Sequence, residues 1–320
     1  MSSILLQFQN NTKSSKRKLN ACYFCRVNWD TIKTYVALTL VSLFYGVNYS
    51  VLKVVVPEYV GPYGFIVFRV LIAAAIFWMI HGFSREKIHW KTDGKRLALC
   101  ALTGVAVNQL LFYKGLSLTS AVNGSIIMTL TPVLVLIWAA LLIGERITRT
   151  KIIGVIIGLI GAVIILYQPD TILTSGNWRG DILVLVNAAS YACYLVIVKP
   201  LMKKYRPMTV VTWVFTIAIL FVLPVGSFQA LEVDFGTLPP KVWWSMGYAI
   251  IIVTVLVYFL NAWTLVRVNS SVVGAFIYLQ PVFASLTAIL FFGEIFLLKH
   301  LLAAFFVFVG VWLVTKKSSK

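Results

Sequence analysis

The chain has 320 residues, 60% of them hydrophobic and only 12% charged, with 28 Lys and Arg against 10 Asp and Glu and a mean hydropathy of +0.91. Soluble domains carry about 25% charged residues, so this composition excludes a soluble globular protein. A formal net charge of +18 would suit a nucleic-acid binder, but the basic residues fall in short clusters between apolar runs, the pattern of a membrane protein with one basic face and no nucleic-acid partner.

Residues 1–33 are rich in Ser, Asn, Lys and Arg, and their one apolar patch, Ile4 to Leu6, is too short for a signal-peptide core. The segment reads as a disordered basic arm on the cytoplasmic side. Its Cys22-Tyr-Phe-Cys25 is a lone CxxC with no second ligand pair nearby, whereas a structural zinc site wants four ligands. No metal and no other cofactor is expected.

Ten apolar runs follow, each about the length that crosses a hydrocarbon core: 34–55, 61–80, 96–117, 120–142, 150–168, 180–199, 208–228, 241–264, 270–292 and 297–315. The expected fold class is an all-α integral membrane bundle of ten transmembrane helices. With the N-terminus inside, 22 of the 28 Lys and Arg fall on the cytoplasmic side and five outside or at outer helix ends, which leaves Arg69 as the one well within a span. Both termini are then cytoplasmic.

Spans four and nine carry the same phrase. T-L-T-P-V-L-V-L-I-W-A-A-L-L-I-G-E contains Pro132 and Glu145, and Y-L-Q-P-V-F-A-S-L-T-A-I-L-F-F-G-E contains Pro281 and Glu294, each pair of equivalents 149 residues apart. Gly144 and Gly293, and Gly161 and Gly310, keep the same offset. Spans one and six correspond at an offset of 146, with Tyr45 matching Tyr191 and Asn48 matching Tyr194. Five spans per half is an odd number, so the second half must enter the membrane upside down. Two inverted five-helix repeats, 34–168 and 169–320, are expected, with a binding site near the midplane where they meet.

Polar residues at membrane depth normally face a partner or a cavity. Taken along the chain, these are Tyr45 and Asn48 in span one, Arg69 in span two, and Asn108 with Gln109 in span three. Tyr191 and Tyr194 follow in span six and Gln280 in span nine. Arg69 lies roughly 12 Å into its span at 1.5 Å per residue, and an Arg at a helix centre costs about 2.5–3.5 kcal/mol to insert. It reads either as an anion contact for substrate or as a guanidinium satisfied by neighbouring helices. Its counterpart in the second half is Val214, so the halves cannot bind ligand symmetrically. Tyr45, Asn48, Arg69, Asn108, Tyr191, Tyr194 and Gln280 form the expected substrate site. Asn123, Ser125, Tyr258, Asn261 and Tyr278 are weaker candidates, and Tyr113 lies nearer the outer end of span three.

Pro132 and Pro281 are expected to interrupt their helices as fixed bends. Glu145 and Glu294 are expected to cap the helices that follow them. Gly154-xxx-Gly158 is expected to let span five pack closely on span ten.

The Phe44-Tyr-Gly-Val-Asn48…Lys53 start, the Phe112-Tyr-Lys-Gly-Leu-Ser-Leu-Thr-Ser120 segment and the twice-repeated proline followed by Gly-Glu resemble the EamA-type family of the drug/metabolite transporter superfamily over residues 34–315. That resemblance implies ten helices in two inverted repeats and export of metabolites, amino acids or drugs. Other classes find little in the residues. No HExxH, GxSxG or phosphate loop is present, and no His sits deep within a span to act as a base, His300 lying near an outer helix end. A channel would want a continuous ring of polar residues. A monomeric secondary transporter of the plasma (inner) membrane, taking a small molecule outward by alternating access, is the expected function. A channel or scaffold is the alternative, and an intramembrane enzyme is less favoured.

Overall fold

A computed structural model describes residues 29–48, 51, 55, 58–82, 86–119, 124, 127–166, 178–292 and 298–316. The basic arm with its CxxC, and Asn123, Ser125 and Glu294, lie outside the described residues. Among the described residues there is no strand, and ten helical segments of at least thirteen residues follow one another, one within each apolar run. They are α1 (29–48), α2 (Pro62–His81), α3 (Trp90–Leu118), α4 (Thr131–Ile143) and α5 (Arg149–Leu166). The second set is α6 (Trp178–Lys204), α7 (Pro207–Leu231), α8 (Pro240–Leu265), α9 (Ser270–Phe276 continued as Leu279–Phe292) and α10 (Leu298–Thr315). Six are long and apolar enough to cross a membrane: α2, α3, α6, α7, α8 and the Ser270–Thr287 stretch of α9. Pro62, Pro207 and Pro240 open their helices at the first position, where a missing N–H leaves no bond unmade and φ is already helical.

Polarity is reversed relative to a water-soluble bundle. Leu220 and Phe228 stand 71% and 74% exposed, while Thr209, Thr212, Thr254, Thr264 and Ser270 are wholly enclosed. Large exposed apolar surface of this kind belongs against lipid. Inside, each buried hydroxyl must find an acceptor, and many bridge helices: Ser42 Oγ donates to the Phe276 carbonyl at 2.8 Å and Ser270 Oγ to that of Leu195 at 2.9 Å.

The tightest helix pairing joins α5 to α10. A Cβ on Gly154 would lie 2.7 Å from the Gly310 carbonyl oxygen, and one on Gly310 would lie 2.6 Å from that of Gly154. Backbone meets backbone there, as the glycine spacing of span five leads one to expect. Helix α2 lies along α7, with Gln229 Oε1 accepting from the Tyr63 and Gly64 amides at 2.9 and 3.3 Å.

One end of the bundle gathers the basic residues. Lys204 Nζ and the Tyr205 hydroxyl donate to Asp93 Oδ2 at 2.5 and 2.7 Å, tying α6 to α3. Lys199 Nζ donates to the Val268 carbonyl and to Asn269 Oδ1 at 3.0 and 2.8 Å, tying α6 to the α8–α9 turn. Trp78, Trp90 and Trp213 stack edge to face at the same end, with centroids 4.6–5.1 Å apart, as interfacial tryptophans do.

Three details depart from the sequence reading. Pro132 is not a bend within a helix: it sits in the first turn of α4, after a turn closed by Leu130 N–H donating to the Ile127 carbonyl at 3.0 Å. Pro281 likewise follows a break, where the Ile277, Tyr278 and Gln280 amides donate three residues back at 3.0–3.2 Å. The chain is broken before each proline, so the missing amide costs little. Glu145 does not cap α5, whose first turn is instead met by Thr148 Oγ1, 3.4 Å from the Lys151 amide. Glu145 Oε1 accepts from Lys151 Nζ at 2.8 Å and from Ser271 Oγ at 2.5 Å, joining α4 to α9.

The third departure is wholly new. Helices α3 and α8 each contain a π-helical stretch, Leu102–Ala106 and Tyr248–Leu256, whose first residues are 146 positions apart (248 − 102). A wider turn rotates the side chains beyond it and frees carbonyl oxygens from the ordinary ladder. The freed groups are used: Ser190 Oγ donates to the Thr103 carbonyl at 2.8 Å, and the Tyr258 hydroxyl to that of Gly104 at 2.9 Å.

Candidate functional site

A cavity of about 90 Å³ lies among α1, α2, α3, α6, α8 and α9. Six of the seven expected residues line it: Tyr45, Asn48, Arg69, Asn108, Tyr191 and Gln280. The seventh, Tyr194, lies behind the wall. Its ring is 2% exposed and packs where a Cβ on Gly104 would stand, only 2.3 Å away, so α6 can approach α3 only because residue 104 has no side chain. Tyr194 stacks on Tyr191 with centroids 6.2 Å apart and thereby backs the cavity wall.

Among the described residues, Arg69 is the only charged one of the lining, and it is 5% exposed. Its Nε donates to Thr254 Oγ1 at 2.9 Å and its Nη1 to the Tyr113 hydroxyl at 2.6 Å. The Thr254 proton goes to the Ala249 carbonyl five residues back at 2.8 Å, which leaves the oxygen lone pair for the guanidinium. This bond exists because the backbone there is π-helical. The guanidinium carbon also lies 5.7 Å and 5.9 Å from the Phe65 and Tyr113 ring centroids, within cation–π range. Both sequence readings of Arg69 thus have geometric content: it is held by neighbouring helices and it faces the cavity. Among the described residues, no Asp or Glu lines the site.

The facing wall is built from α6 and α8. Asn261 Nδ2 donates to the Tyr191 hydroxyl at 3.3 Å, and Tyr45 of α1 also lines the cavity. Gln109 Nε2 donates to the Tyr258 hydroxyl at 3.3 Å. Asn187 Nδ2 donates to the Asn108 backbone carbonyl.

Of the weaker candidates, Tyr258 belongs to the lining, whereas Tyr278 points away, its ring against Gly158 of α5; Tyr113, not among the candidates, also lines the cavity. Gln109 is a lining residue equal in rank to Asn108. Asn187 is a lining residue the sequence reading missed. Its signal was available, since an amide four residues before Tyr191 shares that residue's helix face. Phe112, Met128, Val253 and Ile277 complete the wall and carry no polar mark that a sequence could flag.

An all-helical bundle with a lipid-compatible exterior and a cavity lined by aromatic rings, carboxamides and a guanidinium is the architecture of a membrane carrier. The sequence profile described as "EamA-like transporter family" matches residues 32–167 and again 178–316. The chain belongs to the EamA-like transporter family. It is 25% identical over 255 residues to the "Uncharacterized transporter YyaM" of Bacillus subtilis (strain 168), covering 78% of this chain and 83% of the other. An "Uncharacterized transporter" of Archaeoglobus fulgidus is 26% identical over 89% of this chain and all of its own length. A "Probable terminal-alkyne amino-acid exporter" of Streptantibioticus cattleyicolor is 26% identical over 63% of this chain and 67% of its own. A solved crystal structure shares the fold at a TM-score of 0.73 and 14% identity, over 88% of this chain and 97% of that one.

Proposed function

We propose that the protein is a monomeric secondary transporter, not an enzyme, that exports a small polar or amphipathic solute, amino acids among the candidates, across the plasma (inner) membrane by alternating access. In this reading all ten helices span the bilayer as two inverted five-helix repeats, 34–168 and 169–320, with both termini cytoplasmic. The observation that carries it is the cavity, to which α1, α2 and α3 of one half and α6, α8 and α9 of the other all contribute polar side chains. The 149-residue offset of the proline and glutamate marks and the 146-residue offset of the π-helical starts support the repeat. Broken helices beside the cavity, at 127–130 and 277–278, are the usual sites of substrate contact in such carriers.

Tyr45, Asn48, Arg69, Asn108, Tyr191 and Gln280 contact the solute in this reading, with Tyr194 holding Tyr191 from behind. Aromatic faces enclose an apolar body, and Arg69 receives an anionic group. The test is efflux from cells carrying wild type or Arg69→Gln, together with thermal unfolding of both purified proteins. Removing a charge-assisted contact is expected to lower efflux of an anionic or zwitterionic solute by about tenfold or more, with unfolding temperature nearly kept. A well-folded variant that transports normally removes Arg69 from the site. Metabolite profiles that do not change on overexpression would overturn export itself.

A further inference from the structure

Three side-chain oxygens of the cavity residues are buried and have no hydrogen-bond partner among the described residues: Asn48 Oδ1, Gln109 Oε1 and Asn187 Oδ1. The residues are 8%, 4% and 1% exposed. Buried polar atoms are nearly always satisfied, and each exception calls for an explanation. The amide orientation at two of them follows from their neighbours. Asn187 turns its NH₂ to the Asn108 carbonyl, which can only accept. Gln109 turns its NH₂ to the Tyr258 oxygen, whose own proton is committed to the Gly104 carbonyl. An oxygen is therefore the group left over in both cases, and among the described residues nothing donates to it.

From these acceptors we infer that the cavity contains a subsite for a protonated primary amine, formed by the carboxamide oxygens of Asn48, Gln109 and Asn187. An ammonium group offers three N–H donors and no acceptor, the complement of three orphaned oxygens. A carboxylate, phosphate or sulfate offers only acceptors and is rejected there. Neutral carboxamides suit a transported cation, because they satisfy it without the fixed countercharge that would hold it in place. The inference rests on the transport reading above and sharpens it. With Arg69 lining the same cavity, a solute bearing both an amine and a carboxylate meets a complementary group for each.

The test is calorimetric titration of the purified full-length protein in detergent with L-leucine, with 4-methylpentanoate, which lacks only the amine, and with isoamylamine, which lacks only the carboxylate. Leucine is expected to bind at least about tenfold more tightly than 4-methylpentanoate, because a site built to accept hydrogen bonds rejects the analogue that cannot donate them. Asn48→Asp places a charge beside the amine and is expected to tighten isoamylamine binding about fivefold or more while weakening 4-methylpentanoate. A gain of affinity cannot come from misfolding. Equal affinities for leucine and 4-methylpentanoate, no binding of any of the three, or a folded Asn48→Asp protein without gain for the amine would each overturn the subsite. Efflux that persists alongside such a result would leave the transport reading standing. Tight leucine binding without any efflux would do the reverse.

Discussion

At residue 104 one methyl group separates packing from collision. A Cβ there would lie 2.3–2.8 Å from three atoms of the Tyr194 ring, and that ring is enclosed, with nowhere to retreat. Gly104→Ala is therefore expected to destabilise the protein by about 1–3 kcal/mol, the range for overpacked cores. Pairing it with Tyr194→Ala should recover part of that loss, read as non-additive unfolding temperatures in detergent. Strict additivity would mean that the two residues do not meet. The same pair explains what the sequence could and could not tell. Tyr191 and Tyr194 are both aromatic, both in span six and three residues apart, so nothing along the chain separates a lining tyrosine from a backing one. The distinction comes from a glycine ninety residues earlier (194 − 104). Asn187 is marked by its spacing to Tyr191 but not by the repeat, since the first half has Val41 at the corresponding place (187 − 146).

At the level of helices, hydrophobic runs were a sound guide to where helices occur and a poor one to where they break. Span four was expected over 120–142; among the described residues, 124 and 127–128 are helical and a turn at 129–130 separates them from α4 at Thr131–Ile143. Span nine kept its limits but carries a turn at 277–278. A break within an apolar run leaves hydropathy unchanged, and so does a π-helical turn, because neither alters composition. Close packing was legible where it depends on glycine spacing. Gly310→Leu would drive a side chain into the Gly154 carbonyl, 2.6 Å from the position of its Cβ, and should reduce the yield of monodisperse protein in size-exclusion chromatography several-fold. Leu141→Ile on the exposed face of α4, at a residue 70% exposed, should leave that yield unchanged, since such sites usually shift stability by no more than about 0.5 kcal/mol. Equal yields would show that the α5–α10 contact contributes nothing.

Over the whole molecule, charge and hydrogen bonding agree on two distinct ends. Asp93, Lys199, Lys204, Tyr205 and Asn269 share one, and Gln229 with the start of α2 marks the other. The basic end is expected to face the cytoplasm. With the native cysteines replaced, Lys87→Cys should resist a membrane-impermeant maleimide added to intact cells, and Thr237→Cys, in the exposed α7–α8 connection, should react. Labelling of position 87 with protection of 237 would invert the topology.

The reversed polarity of this bundle also sets how its sequence can drift. On the lipid-facing rim, at Leu220 or Phe228, any large apolar side chain serves equally, so neutral exchange among Leu, Ile, Phe and Met should be rapid while Asp or Lys is purged. At the enclosed hydroxyls, Thr209 and Ser270, the permitted alphabet shrinks to small side chains that can still donate. A map of tolerated substitutions would thus be the inverse of one for a soluble enzyme, with a greasy and permissive outside around a polar and exacting interior.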